Sequence, residues 1–317
     1  MPLLHVYNPD TDYALAAGSH NYTPPEAIRR MRARNALLPL SYMGADDALL
    51  VMDADAPLDG NNDARILAPG SLTDWSRFTA NPWGWNVTIA RYLRKNCPGI
   101  KGIPDDASLE RLRLLSHRRT SRRFLSMLHM RNVALDIALP EELTDEQDAM
   151  EYFMEHGKAF FKAPWSSSGR GILFADDIAS DLVRQWVHGV IAKQGSVMAE
   201  PFYPKHLDCA TEWFVAPDGS ASFTGVSLFE ASRRGKYHHN LQGSQMDLWN
   251  RIGVLDSSLI EAQRDVLQSV AAGSYSGPVG IDMLVLHNGA VHPCVEINFR
   301  NTMGSILIDP SDKSLSI

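Results

Sequence analysis

Asp282, Glu296 and Asn298 are polar side chains set in an otherwise apolar stretch, Gly280-Ile-Asp-Met-Leu-Val-Leu-His-Asn-Gly-Ala-Val-His-Pro-Cys-Val-Glu296-Ile-Asn298-Phe-Arg300. Carboxylates in apolar surroundings need a partner. The stretch reads as two strands joined by a turn at Asn288-Gly289, with Asp282 on the first strand. Glu296 and Asn298 lie two apart on the second and so share a face. Hard acidic and amide oxygens converging from paired strands suit Mg²⁺, above all where phosphates complete its shell.

Phe160-Phe-Lys162-Ala-Pro-Trp-Ser166-Ser167-Ser168-Gly169-Arg170-Gly171-Ile172 is a second such place. An apolar strand delivers one lysine, a small-residue loop follows, and another strand begins. Ser and Gly let backbone N–H groups approach an anion closely, while Lys162 and Arg170 supply charge to phosphate oxygens. The order of lysine and glycines is the reverse of a Walker P-loop. By itself the pattern is equally a simple hairpin. A third stretch, Val197-Met-Ala-Glu200-Pro-Phe202-Tyr203, is a strand ending in an acid and aromatics. It either presents backbone groups to a purine edge or packs its aromatics in a core. A fourth, Arg233-Arg-Gly-Lys236-Tyr237-His238-His239-Asn240-Leu-Gln242, either is an exposed polar loop or recognises an anionic or polar substrate, with its adjacent histidines suited to proton transfer.

These residues need a scaffold of strands and helices. The chain has 317 residues, 44% hydrophobic and 21% charged, with a net charge of -7. At ~150 residues per domain this length suits two or three modules. The densest basic cluster, Arg118, Arg119, Arg122 and Arg123, falls in a helical pattern, which disfavours nucleic-acid binding. No apolar run approaches the ~20 residues that span a bilayer. Cys97, Cys209 and Cys294 lack C-x-x-C spacing, which disfavours disulfides and zinc and leads us to expect a cytoplasmic protein. Up to about residue 115, short strands alternate with helices, as in a partly parallel α/β sheet. The expected elements there include a strand at Leu3–Tyr7, a helix opened by Pro24-Pro25, a strand at Ala48–Asp53 and a helix at Trp85–Lys95. Loops at strand ends, Asn8 to Tyr13, Tyr22 to Pro25 and Pro82 to Trp85, are pocket candidates, with Trp83 and Trp85 also suiting a core. The pattern predicts one long helix over Ser108–Met130, and a turn at Leu139-Pro before a helix near Asp145. No G-x-G-x-x-G follows the first strand and no G-x-S-x-G elbow occurs.

Taken together and in order, F-F-K-A-P-W-S-S-S-G-R-G-I, V-M-A-E-P-F-Y and G-I-D-M-L-V…C-V-E-I-N-F-R resemble the ATP-grasp superfamily, over about residues 115 to 305. The resemblance implies an N-terminal α/β domain (1–115) followed by a two-lobed α+β unit, its central lobe 116–200 and its C-terminal lobe 201–317. It implies an ATP- and Mg²⁺-dependent ligase, with Mn²⁺ an acceptable substitute. Such an enzyme joins a small polar carboxylate to an amine through an acyl-phosphate, and is compatible with a homodimer. Lys162 and Arg300 would act on the phosphates and developing charge, and Ser166 to Gly171 would close over them. Glu200, Phe202 and Tyr203 would frame the adenine. Glu212 looks like the ribose-binding acid, with Asp208 the competing choice. Asp282, Glu296 and Asn298 would hold Mg²⁺, and Arg233 to Asn240 would border the substrate.

Two departures stand out. Family members commonly carry an earlier phosphate-binding Lys, where this chain offers only Arg118 or Arg119. The E-x-N-x-R spacing is similar to carbamoyl-phosphate synthetase and biotin carboxylase. It is less like D-alanine–D-alanine ligase, where an Arg stands at the position of Gly280. The same lobes also support kinase chemistry on a hydroxyl, or a nucleotide-binding regulatory protein of weak activity.

Overall fold

The computed structural model describes residues 1–317 apart from 54, 57, 59–62, 167, 168, 170, 177–179, 233, 234, 236, 310, 313, 314, 316 and 317. The chain divides into two compact units, residues 1–114 and 115–317.

The first unit contains β1 (Leu3–Val6), α1 (Thr11–Ala17), α2 (Glu26–Arg34), β2 (Ala48–Leu50), β3 (Ile66–Leu67), β4 (Thr79–Pro82) and α3 (Val87–Asn96), and α4 (Asp106–Leu115) ends it. The strands pair in the order β3-β2-β1-β4, all parallel. Buried runs such as Leu4 to Val6 and Leu49-Leu50 suit a sheet covered on both faces. The Asn86 side chain accepts from Ile89 N–H at 3.0 Å and starts α3, which buries Ile89 and Leu93 against Leu4, Leu50 and Phe78. Trp83 is buried edge-on to Tyr7 and Trp85 packs on the same core, so both tryptophans are packing residues.

The second unit contains α5 (Arg119–His129), β5 (Glu141–Leu143), α6 (Glu146–His156), β6 (Ala159–Lys162), β7 (Ile172–Ala175), α7 (Ser180–Gln194) and β8 (Val197–Pro201), then β9 (Lys205–Val215), β10 (Ala221–Ala231), β11 (Tyr237–Asn240), α8 (Gln245–Ile252), α9 (Ser257–Ala271), β12 (Gly277–Leu286) and β13 (Val291–Asn298). One antiparallel sheet runs β5-β8-β6-β7, with α6 and α7 packed through Tyr152, Val183 and Val187 onto Phe161 and Val197. A second antiparallel sheet runs β11-β10-β9-β12-β13. Buried Gln263 of α9 ties that sheet together, accepting from Thr211 Oγ1 at 3.1 Å and donating to Pro293 O at 2.8 Å. At Asn288-Gly289 the chain turns as expected, with Gly289 at φ +84° and Ala290 N–H donating to Asn288 Oδ1.

Two expectations fail. The helix predicted over Ser108–Met130 is two helices, broken at Ser116-His117-Arg118. There Arg118 N–H donates to Pro164 O at 3.1 Å and the buried His117 ring accepts from Arg119 N–H at 3.0 Å. Tertiary and capping bonds replace helical ones, a competition invisible to periodicity. In the polar loop, residues Tyr237 to Asn240 form an edge strand, with Asn240 opposite Phe229 and His239 opposite Glu230.

Candidate active site

Lys162 ends β6, and the antiparallel register sets Phe160 opposite Glu200 and Lys162 opposite Met198. Lys162 and Glu200 are therefore diagonal neighbours on one face. Their exposures are 6% and 8%, and Lys162 Nζ donates to Glu200 Oε1. A buried cation and a buried anion each need such a partner. Beside them the Phe160 and Phe174 rings stack 4.8 Å apart, and Phe202 leans on Phe174 at 5.2 Å with the rings tilted by 36°. The stretch after β8 is anchored on both sides. Phe202 N–H is spent on Lys158 O at 3.2 Å, and the Tyr203 hydroxyl accepts from Ala138 N–H at 2.8 Å.

The second sheet supplies the acids. Asp282 on β12 stands directly opposite Glu296 on β13, and Gly280 opposite Asn298. Like charges so placed repel. Burial, then Glu296 and Glu212, hold the Asp282 carboxyl well above the usual carboxylate range, against the pull of Arg300 and an Asn298 hydrogen bond. Arg300 Nη2 donates to Asn298 Oδ1 at 2.8 Å. Gly280 has a steric reason: a Cβ there would lie 2.7 Å from Thr302 Cγ2 and 3.0 Å from Glu212 Oε2.

Arg118 links the two groups. Its Nη2 pairs with Glu296 Oε1 at 2.7 Å, while Nη1 donates to Ala163 O at 2.7 Å and to buried Ser166 Oγ at 2.6 Å. Arg119 instead turns to Glu142 at 2.7 Å and to His117. Of the two candidate arginines, only Arg118 is thus brought to the acidic pair. In the small-residue loop, Gly169 and Gly171 have φ of +72° and +75°. A Cβ on Gly171 would stand 2.8 Å from that of Ser166. Ser167, Ser168 and Arg170 lie outside the described residues, as do Arg233 and Lys236.

Lys162, Glu200, Phe202, Tyr203, Asp208, Asp282 and Glu296 line one cleft of about 410 Å³, walled by Phe160, Ile172, Phe229, Met283 and Leu284. That is the size and mix of a small-ligand site, mostly apolar with a few convergent charges. Asp208 sits in it, paired with Lys205 at 2.6 Å, its pKa raised by burial and pulled back by that lysine. Glu212, the other candidate for a ribose, does not line the cleft. It is 1% exposed and accepts from Ser227 Oγ at 2.9 Å and Thr302 Oγ1 at 3.0 Å, and burial pushes its pKa up to about 7.

His238 and His239 are exposed on β11 and do not line the cleft, and Tyr237 donates to Asn240 Oδ1 at 2.5 Å. Asn240 instead lines a separate 320 Å³ pocket with Ser227, Gln242 and Gln245. Two polar cleft residues, Lys205 and His287, carried no signal in the sequence. Lys205 stands three before Asp208, a spacing that does not place two side chains on one face of a regular strand, so pairing was not to be expected. His287 sits at the turn after β12, where no periodic signal reaches.

Among the described residues no three His, Cys, Asp or Glu side chains gather as a metal site, and no helix is long and apolar enough to cross a membrane. Two opposed carboxylates beside an amide oxygen nevertheless fit Mg²⁺, an ion commonly held by one or two carboxylates plus substrate phosphates.

No family model and no curated protein matches this sequence. Solved structures do match. N5-carboxyaminoimidazole synthetase from Staphylococcus aureus, complexed with ADP, aligns at TM-score 0.53 and 11% identity over 95% of this chain and 72% of that one. Biotin carboxylase from Campylobacter jejuni, as its beta-gamma-ATP complex, aligns at 0.56 and 13% over 96% and 66%. D-cycloserine synthetase aligns at 0.53 and 12% over 97% and 94%. At these identities the likeness concerns the fold alone, and the chain is of mixed α/β and α+β class, with the fold that these three structures share.

Proposed function

We propose that this chain is an ATP- and Mg²⁺-dependent ligase that activates a small carboxylate as an acyl-phosphate and couples it to an amine, releasing ADP and phosphate. One observation carries the reading: the directly opposed Asp282 and Glu296 share a cleft with Lys162 and Asp208. The solved structures of like fold are named as synthetases and a carboxylase, two of them with an adenine nucleotide.

In this reading the base lies against Phe160, Ile172 and Leu284. Asp208 takes the ribose hydroxyls in preference to Glu212, which is sealed by Ser227 and Thr302. Lys162 and Arg118 offset phosphate charge, and backbone N–H groups from Ser166 to Gly171 cradle it. Asp282, Glu296 and Asn298 would hold Mg²⁺, which screens and orients phosphate oxygens when bound. Arg300, held by Asn298, faces the charge that develops on transfer. Buried free Cys97, Cys209 and Cys294 favour a reducing, cytoplasmic setting.

The test is ADP and phosphate release from Mg-ATP across panels of carboxylic acids paired with amines, beside an Asp282→Asn, Glu296→Gln double variant. Release that needs both acid and amine, yields an amide by mass, and is lost in the variant establishes the ligase. A phosphorylated hydroxyl product with no amide makes it a kinase. Failure to bind Mg-ATP sinks the reading.

A further inference from the structure

A second polar cluster lies wholly in the N-terminal unit and plays no part in the nucleotide cleft. It gathers where the chain leaves the C-terminal ends of β1 and β2, the side on which open parallel sheets take ligands. Asp10 follows β1 and Asp53 follows β2, while Tyr13 is on α1, Arg32 on α2, Tyr92 on α3, and Tyr22 between α1 and α2.

The loop bearing Asp10 is fixed from below. Asn8 Nδ2 donates to Gly84 O at 2.8 Å and to Thr11 Oγ1 at 3.1 Å, and Thr11 Oγ1 donates to Asn8 O at 2.8 Å. Arg32 grips Asp53 with two parallel bonds of 2.7 and 2.6 Å. That grip leaves Asp10 over. Its Oδ1 is buried with no hydrogen-bond donor, and the nearest Arg32 nitrogen stands 3.9 Å away. Asp10 is 7% exposed and occupies the N-cap position of α1, yet its side chain makes no capping bond, contrary to the usual behaviour of Asp there. The Tyr13, Tyr22 and Tyr92 hydroxyls are buried and equally without partner. Tyr22 feels Asp10, Tyr13 and Arg32, and Tyr92 feels Arg32 and Asp53, so these groups share one electrostatic neighbourhood.

Each buried polar atom left unpaired forfeits the hydrogen bond it had in water, and a folded chain retains few without a reason. Asp10 and Asp53 against Arg32 leave one negative charge when Asp10 is ionised. The missing partner is therefore a cation that also donates hydrogen bonds. A divalent metal fits poorly, because Asp53 is already held by Arg32 and no three metal-ligating side chains gather among the described residues. Tyr13 and Tyr22 are partly exposed, so the cluster lies just below the surface.

We propose that Asp10, Tyr13 and Tyr22 form a binding site for a small molecule carrying a primary ammonium group. Its N–H groups donate to Asp10 Oδ1 and to the tyrosine oxygens, and Tyr92 borders the far end beside the Arg32–Asp53 pair. The inference stands on the N-terminal unit and does not depend on the ligase reading.

Saturation-transfer NMR on the full chain, without nucleotide and at constant ionic strength, tests it with ethanolamine, glycine and putrescine. At least one of these amines should bind. Asp10→Asn should weaken it about ten- to hundredfold, the loss expected for a charge-assisted bond. Tyr22→Phe should weaken it less, and it guards against an Asp10 variant that fails to fold. Choline, which has no N–H on its cation, should not compete. The proposal is overturned if none of the three amines binds, if both variants bind as tightly as the parent, or if K⁺ or Na⁺ displaces the amine at equal concentration.

Discussion

Lys162 and Glu200 are buried together, so neither is replaceable alone. Removing one member of a buried ion pair strands the other charge, while removing both leaves an apolar contact. Lys162→Met should lower unfolding stability by about 3 kcal/mol, and the Lys162→Met, Glu200→Leu double variant should recover most of that loss. A double variant no more stable than the single one would show that the pair does not act as a unit. Glu212 carries a different signature. Its ordinary pKa of 4.5 is pushed up to about 7 by burial. The folded chain therefore keeps a proton that the unfolded chain releases. Stability should fall as pH climbs from 4.5 to about 7 and level off above, by roughly 3 kcal/mol in all. Glu212→Gln lacks that proton, and urea midpoints in chelator-containing buffer should show its pH slope flattened over that window. An unchanged slope would mean that Glu212 ionises normally.

At the scale of elements, the sequence showed what alternation and turn chemistry encode. The β12–β13 hairpin was legible because Asp282, Glu296 and Asn298 interrupt apolar strands around Asn288-Gly289, and register then opposes the two acids. Lys162 was legible as the end of an apolar strand before a Ser/Gly loop. The break between α4 and α5 was not, because it depends on Pro164 and on the His117 ring, partners set by tertiary structure. Glu212 was preferred to Asp208 for the ribose, and our proposal reverses that order, since the two share a face of β9 and only their surroundings separate them. The β6–loop–β7 unit makes its own prediction. Gly171→Ala meets both an unfavourable φ of +75° and the Ser166 Cβ. It should cost about 1–3 kcal/mol and weaken nucleotide binding by displacing Ser166, which thermal unfolding and calorimetry would check together. A variant as stable as the parent would mean that the loop relaxes freely.

At the scale of the whole molecule, residues 1–114 and 115–317 each carry a core and a candidate site. Mg-ATP should accordingly stabilise the second unit, by about 2.7 kcal/mol at a hundredfold excess over Kd. Hydrogen-exchange protection should concentrate at β6, β8, β12 and β13, and protection spread evenly over both units would contradict that. Arg118 adds a further consequence. One guanidinium grips Ala163 and Ser166 after β6 and Glu296 on β13, and so ties the two antiparallel sheets together. If Glu296 holds Mg²⁺ as proposed, that grip makes it a ligand already spoken for, which a lone Mg²⁺ would win only by evicting the arginine. Phosphate oxygens give the arginine somewhere else to go. On the proposed reading, metal and nucleotide should therefore enter together, with neither holding well alone. Arg118→Met should undo that dependence, binding free Mg²⁺ more tightly and Mg-ATP about tenfold more weakly by calorimetry.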